Sequence, residues 1–310
     1  MSTSSPQKAI QLIERFSRRD PGARGLATHA PPDLLWPAAS ELLGGERIII
    51  VTGFCIRAAM AGETDGPPGA LCVAETLRRL GKQVFLLSDS FSAPLLVAGS
   101  AVYGQAIPAA RIDLPQASAD AVIDDLLTAF APTHVLAIER PGNAVDGHRY
   151  SMRGEMLDDL VASADRLLSP PGARAYATLA IGDGGNELGL GGLRERLRGQ
   201  INRGELIFSA TPADHVIPAG ISNWGAYALS AALAVLSGRP LLQPAAHERA
   251  VLEAMIGAGA VDGCTRQREL SVDGLAWGDY AGTLEDIHRE TGRYLAEQSA
   301  AAAHLADGMA

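Results

Sequence analysis

The sequence predicts an α/β protein built on a doubly wound, mostly parallel sheet of Rossmann-like type, occupying residues 47–310 behind an N-terminal helical flank at residues 1–46. Three observations carry that prediction. The runs Ile48-Ile49-Ile50-Val51, Val84-Phe85-Leu86-Leu87, His134-Val135-Leu136-Ala137-Ile138 and Tyr176-Ala177-Thr178-Leu179-Ala180-Ile181 are short and almost wholly apolar, as strands covered on both faces must be. Between them lie segments with helical apolar spacing, and alternating strand and helix gives parallel pairing with right-handed crossovers. Each strong run is also followed by polar, glycine-bearing sequence, which places ligand-sized openings along one rim of such a sheet.

In chain order, Ile10, Leu12, Ile13 and Phe16 form the stripe of a short helix, with the acids Glu14 and Asp20 lying among the arginines of this region. Residues 21–32 are a Gly-, Ala- and Pro-rich loop, and residues 33–43 predict a second helix ended by Gly44-Gly45. After the first strand comes Gly62-Glu63-Thr64-Asp65-Gly66-Pro67-Pro68-Gly69-Ala70. Its prolines pre-set the φ of a first helical turn and make the loop rigid. Leu71, Ala74, Leu77 and Leu80 then recur at i+3, and Val122, Leu126 and Phe130 at i+4. Met156, Leu160 and Ala164 predict another helix, with Asp158, Asp159, Asp165 and Arg166 on its outer side. Further on, residues 206–209 and 215–217 read as short strands, and residues 222–236 as a buried helix capped by Ser222. Helices are predicted at 246–256 and 283–302, separated by a long glycine-bearing loop at 257–278. The uncharged stretch 226–236 suits either core packing or a homo-oligomer contact.

A net charge of −9 and a pI near 5.3 argue against nucleic acid or an anionic membrane as the main partner. Cys55, Cys72 and Cys264 have no metal-like spacing, and neither a leader nor a long apolar span is evident. A reducing, cytoplasmic setting is expected, with Cys55 and Cys72 in the core.

The strand ends bring Glu63 and Asp65, Ser88-Asp89-Ser90, Glu139-Arg140-Pro141-Gly142-Asn143 and Gly182-Asp183-Gly184-Gly185-Asn186-Glu187 to the same side of the sheet. The Gly69 to Asp89 spacing matches the ribose acid of a dinucleotide fingerprint, but the loop after the first strand lacks Gly-x-Gly-x-x-Gly. Gly182-Asp183-Gly184 opens like a thiamine-diphosphate motif, yet residues 206–214 hold no asparagine to complete it.

Taken together, Gly53-Phe54, Glu63-Thr64-Asp65-Gly66-Pro67-Pro68-Gly69-Ala70, Glu139-Arg140-Pro141-Gly142, Asp146-Gly147, Met152-Arg153-Gly154 and the 182–187 run resemble the D-glutamate cyclase family over residues 47–294. The same catalytic portion occurs fused to other domains in mitochondrial homologues. The resemblance implies a lyase (hydro-lyase) type cyclase that closes D-glutamate to 5-oxo-D-proline with loss of water. Ring closure is intramolecular, so the protein must hold a folded conformer and move protons, and no covalent nucleophile is required. Asp65 or Glu63 and Asp183 or Glu187 are the expected groups for ammonium recognition and acid–base work. Asp65, Asp183 and Glu187 could instead hold a divalent cation such as Mn²⁺ or Mg²⁺; no other cofactor is called for. Arg140 and Arg153 are expected to bind substrate carboxylates, and the N–H groups of Gly66, Gly184 and Gly185 to shelter an oxyanion. Asn186 would orient the substrate or close the turn. His148 is a lone loop histidine, more suited to solvent than to proton transfer. The rival readings are a non-catalytic carboxylate-binding protein and a metal- or nucleotide-dependent enzyme on the same scaffold.

Overall fold

The computed structural model describes residues 5–104 and 106–307; residues 1–4 of the expected flank and residues 105 and 308–310 of the expected main body lie outside the described residues. Its centre is a six-stranded parallel sheet: β1 (Arg47–Thr52), β2 (Gln83–Ser88), β3 (Ala109–Arg111), β4 (His134–Ile138), β5 (Ala177–Gly182) and β6 (His215–Pro218). Their order in space is β3-β2-β1-β4-β5-β6. The chain therefore winds outward from β1 in one direction and, after β4, in the other, leaving a switch point between β1 and β4.

Burial on both faces explains the strands' composition. Ile48 and Ile50 of β1, Leu136 and Ile138 of β4 and Leu179 and Ile181 of β5 pack into one apolar cluster. Ile49, Val51, Val135, Ala137 and Ala180, one residue out of step, pack into the cluster on the opposite face. Strand β3 was not legible in the sequence, because this edge strand has three residues and no apolar run.

The longer helices are α1 (Pro6–Ser17), α2 (Leu35–Leu43), α3 (Pro67–Arg79), α4 (Ala93–Val102), α5 (Gln116–Phe130), α6 (Ser222–Ser237), α7 (Ala245–Gly257) and α8 (Trp277–Asp307). Helix α6 is buried on nearly every side, and α1, α2, α3 and α8 pack around it. The segment before the sheet is thus part of the same core: Ile10 and Ile13 of α1 share a cluster with Leu229 and Leu233 of α6. Among the described residues no helix is long and apolar enough to cross a membrane.

Four local expectations are corrected. Residues 156–164 form no helix. Leu157 and Val161 pack under Phe54 and Cys55, while the Ala162 carbonyl accepts from Arg140 and the Ser163 N–H donates to Gln116, so tertiary partners replace the helical ladder. The expected strand at 206–209 is a helical turn, Gly204–Ile207. Ser222 is the first residue of α6 rather than its cap, and its hydroxyl donates to Glu139. The 257–278 loop contains a two-residue hairpin, Ser271–Val272 with Leu275–Ala276, turned by Asp273 and Gly274 at φ 54° and 80°.

Candidate active site

Loops leaving β1, β4 and β5 meet at the switch point. After β1 the chain makes a small hairpin, then passes Glu63 and Asp65 into α3. Asp65 is held at the N-terminus of α6: Oδ1 accepts from the Asn223 N–H at 2.8 Å and Oδ2 from the Ser222 N–H at 2.9 Å. A helix N-terminus offers unpaired N–H groups and favours negative charge. After β4, Glu139 adopts φ 43°, a left-handed conformation uncommon outside glycine. Its carboxylate accepts the Ser222 hydroxyl at 2.6 Å. After β5, the Asp183 carboxylate takes an Arg24 N–H on Oδ1, and its buried Oδ2 accepts no hydrogen bond among the described residues. Oxygens of Asp65, Glu139 and Asp183 lie within 4.8 Å of one another.

Arg24 comes from the loop between α1 and α2. Its other arm donates to Asp273 at 2.7 Å, at the tip of the hairpin in the 257–278 loop. One guanidinium therefore bridges two carboxylates from distant parts of the chain. Glu63, Glu139, Asp273, Arg24, Asn186 and Arg153 line a cavity of about 280 Å³. A larger cavity of about 770 Å³ beside α4 and β3 is walled mainly by apolar and small residues and lacks any carboxylate.

So many buried carboxyl groups around one guanidinium bind protons tightly. Burial pushes Glu63, Asp65 and Glu139 well above the usual carboxylate range, with neighbouring acids adding to it. Burial raises Asp183 to about 6 and Asp273 to about 7, in each case against the pull of Arg24. Such a cluster can give and take protons near neutral pH.

The expected residues divide in this geometry. Asp65 and Asp183 meet, with Glu63 in the cavity wall beside them. Glu187 is turned inward instead: its carboxylate accepts the N–H groups of Asp183 at 3.0 Å and of Gly184 and Gly185 at 2.7 Å. That fixes the loop, and it occupies both glycine donors assigned to an oxyanion. The Gly66 N–H is likewise engaged, by Asp65 and Asn223 at 3.0 Å each. Arg140 is completely buried, ion-paired to Asp89 and donating to the Gly53 and Ala162 carbonyls, so it braces the loops around it. Arg153 stands at the cavity and donates at 3.3–3.4 Å to carbonyls of Gly263 and Cys264. It forms no ion pair with Asp158 or Glu155 among the described residues; Asp158 pairs with His148 and Arg149. Asn186 donates to the Tyr150 carbonyl at 2.9 Å, and its own buried carbonyl oxygen accepts no hydrogen bond among the described residues. His148 is partly exposed and sits outside this cavity. Cys55 and Cys72 are buried, whereas Cys264 is in the cavity wall, 3.7 Å from Arg24.

With this geometry in place, comparison with known proteins is direct. The family described as D-glutamate cyclase-like, C-terminal, matches residues 13–288. The chain belongs to that family. It is 34% identical over 249 residues to the human protein named D-glutamate cyclase, mitochondrial; the alignment covers 76% of this chain and 40% of that relative. The chain thus spans well under half the length of the relative.

The match to the D-glutamate cyclase-like family begins inside α1, so it includes Arg24 as well as Glu139 and Asp273. Sequence reasoning assigned a role to none of these three. Asp273 had a usable signal, since Asp-Gly between apolar residues marks a tight hairpin. Glu139 lay in the strand-end motif at 139–142 beside the more conspicuous Arg140. Arg24 had no local signal, because its partners lie 159 and 249 positions away.

Proposed function

We propose that the chain is a cyclase that closes D-glutamate to 5-oxo-D-proline with loss of water. The observation that supports this reading best is the single cavity in which Glu63, Glu139 and Asp273 face Arg24 and Arg153. An amino dicarboxylate needs both charge types, and Asn186 adds an open acceptor for its ammonium group. In the reaction the bond from nitrogen to the side-chain carboxyl carbon, Cδ, forms and a Cδ–O bond breaks. Nitrogen gives up two protons and the departing oxygen takes up two, so no net proton is consumed. Carboxyl groups whose proton affinity is raised by burial suit that relay. Arg153, at the mouth, is assigned to the substrate α-carboxylate.

Asp65, Glu139 and Asp183 form a donor set of hard oxygens, with Asp183 Oδ2 still open, that fits Mg²⁺ or Mn²⁺. An ion held there would supply Lewis-acid polarisation of the reacting carboxyl. Three free cysteines suit a reducing compartment such as the cytoplasm.

The test is incubation of purified protein with D- and L-glutamate, with 5-oxoproline followed by chiral chromatography, before and after EDTA and with Mn²⁺ or Mg²⁺ restored. Formation of 5-oxo-D-proline supports the assignment. Binding of glutamate without product would favour a carboxylate-binding protein instead.

A further inference from the structure

The wall of the cavity formed by the 257–278 loop is held at several points, among them Arg153, which donates to the Gly263 and Cys264 carbonyls, and Val272, which packs into the main apolar cluster. At its start, Val261 exchanges backbone hydrogen bonds with the strand-end loop: Thr64 N–H to the Val261 carbonyl at 2.9 Å and Val261 N–H to the Gly62 carbonyl at 3.1 Å. Within the loop, Asp262 accepts from the N–H groups of Cys264, Thr265 and Gly274 and from the Ser271 hydroxyl, all at 2.7–2.8 Å. The hairpin tip that carries Asp273 is reached by Arg24, which bridges it to Asp183.

Arg24 is itself delivered by a built segment. Asp20 folds the chain back on itself, accepting from the N–H groups of Arg24 at 3.0 Å and Gly25 at 2.9 Å. Gly25 at φ 91° completes the turn. The segment is seated against the loop after β6, where the Gly220 N–H donates to the Ser17 carbonyl at 2.9 Å. Any side chain at Gly220 would run into the Arg19 backbone. The guanidinium thus arrives on a short, tied loop, and an Arg fork can hold two carboxylates where a lysine presents a single point.

We propose that Arg24 is a positioning residue, a clasp from the N-terminal flank that fastens the Asp273 hairpin to Asp183 and so keeps the cavity's outer wall assembled for turnover. This rests on the cyclase reading above for its kinetic consequence, but not for its structural one. Loss of the clasp frees the Asp273 tip while leaving the Val261, Arg153 and Val272 attachments in place, so exchange increases where Asp262 holds the loop and not along β1, β4 or β5.

The experiment compares wild type with Arg24→Gln and Arg24→Lys in the full chain. Hydrogen–deuterium exchange is measured over residues 262–276 and over the sheet strands, with kcat and KM for D-glutamate cyclisation measured alongside. The expected result for Arg24→Gln is at least a tenfold rise in exchange at 262–276 with unchanged strand protection, and kcat lowered 10- to 100-fold with KM changed less than threefold. Arg24→Lys should fall between the two, and it serves alone if the Gln variant does not fold. Unchanged exchange at 262–276 overturns the proposal. So does a raised KM with kcat preserved, which would make Arg24 a substrate contact, or a lowered thermal midpoint with kcat per folded molecule intact, which is what a purely structural ion pair gives. A wild type that forms no 5-oxoproline refutes the cyclase reading, while the exchange result still decides the clasp.

Discussion

Replacing Gly66 by alanine probes close packing at the switch point. Gly66 has φ 94°, and a Cβ there would come 2.6 Å from Glu139 Cβ and 3.0 Å from Thr52 Oγ1. Two costs follow. At φ 94° and ψ −65° an L-residue loses at least as much as in left-handed helical backbone, about 1–2 kcal/mol, and overpacking a dense site costs roughly another 1–3 kcal/mol. The expected destabilisation is therefore about 2–5 kcal/mol, read from the shift in urea unfolding. Gly81 provides the control, because it has φ 85° and nothing within 4 Å of the point where a Cβ would stand. Gly81→Ala should show a positive-φ cost without any collision, so Gly66→Ala, which adds the collision with Glu139, is expected to lose more. Relief of that collision must move Glu139, and a misplacement of about 1 Å costs on the order of 10²-fold in turnover. Equal stability losses for the two variants, or full activity in Gly66→Ala, would refute the close contact on which this reasoning depends.

Two other outcomes are expected. Glu248, buried against Tyr103, is raised by burial from 4.5 to about 7, with hydrogen bonds from Tyr103 and Cys72 offsetting only part of the effect. Below pH 4.5 the group is protonated in both states; above it the unfolded chain releases the proton first, so stability falls as pH rises to about 7. Glu248→Gln removes that loss, and pH-dependent denaturation should show the variant gaining up to about 3 kcal/mol on wild type between pH 5 and 8. Arg153→Ala should raise KM for glutamate about tenfold or more and change kcat little, since Arg153 is assigned to binding away from the reacting carbon. A fall in kcat at constant KM would argue against that role.

The sheet was legible because its chemistry is local: apolar runs at β1, β2, β4 and β5 report burial on both faces, and the polar sequence after β1, β4 and β5 does lie on one rim. The roles of charged groups were not. A period reveals that Arg140 and Glu187 follow strands, but not that one is enclosed with Asp89 and the other folds back on its own loop's N–H groups. The apolar spacing at Leu157 and Val161 did report contact with the core, yet their segment stays irregular because Gln116 and Arg140 satisfy its backbone. Arg24 is the clearest limit, for its place is set by how the flank packs on α6 and the loop after β6, which no short window of sequence contains.

Under the proposed function, an acidic amino acid is turned over in the cavity lined by Glu63, Glu139, Asp273 and Arg24. The most direct measurement is 5-oxoproline formation from D-glutamate by wild type and by Glu139→Gln, with thermal unfolding recorded for both. Wild type should give stoichiometric 5-oxo-D-proline, and the variant should lose at least 10²-fold in rate at an unchanged midpoint. Undiminished product from Glu139→Gln, or none from wild type with either enantiomer, would contradict that function.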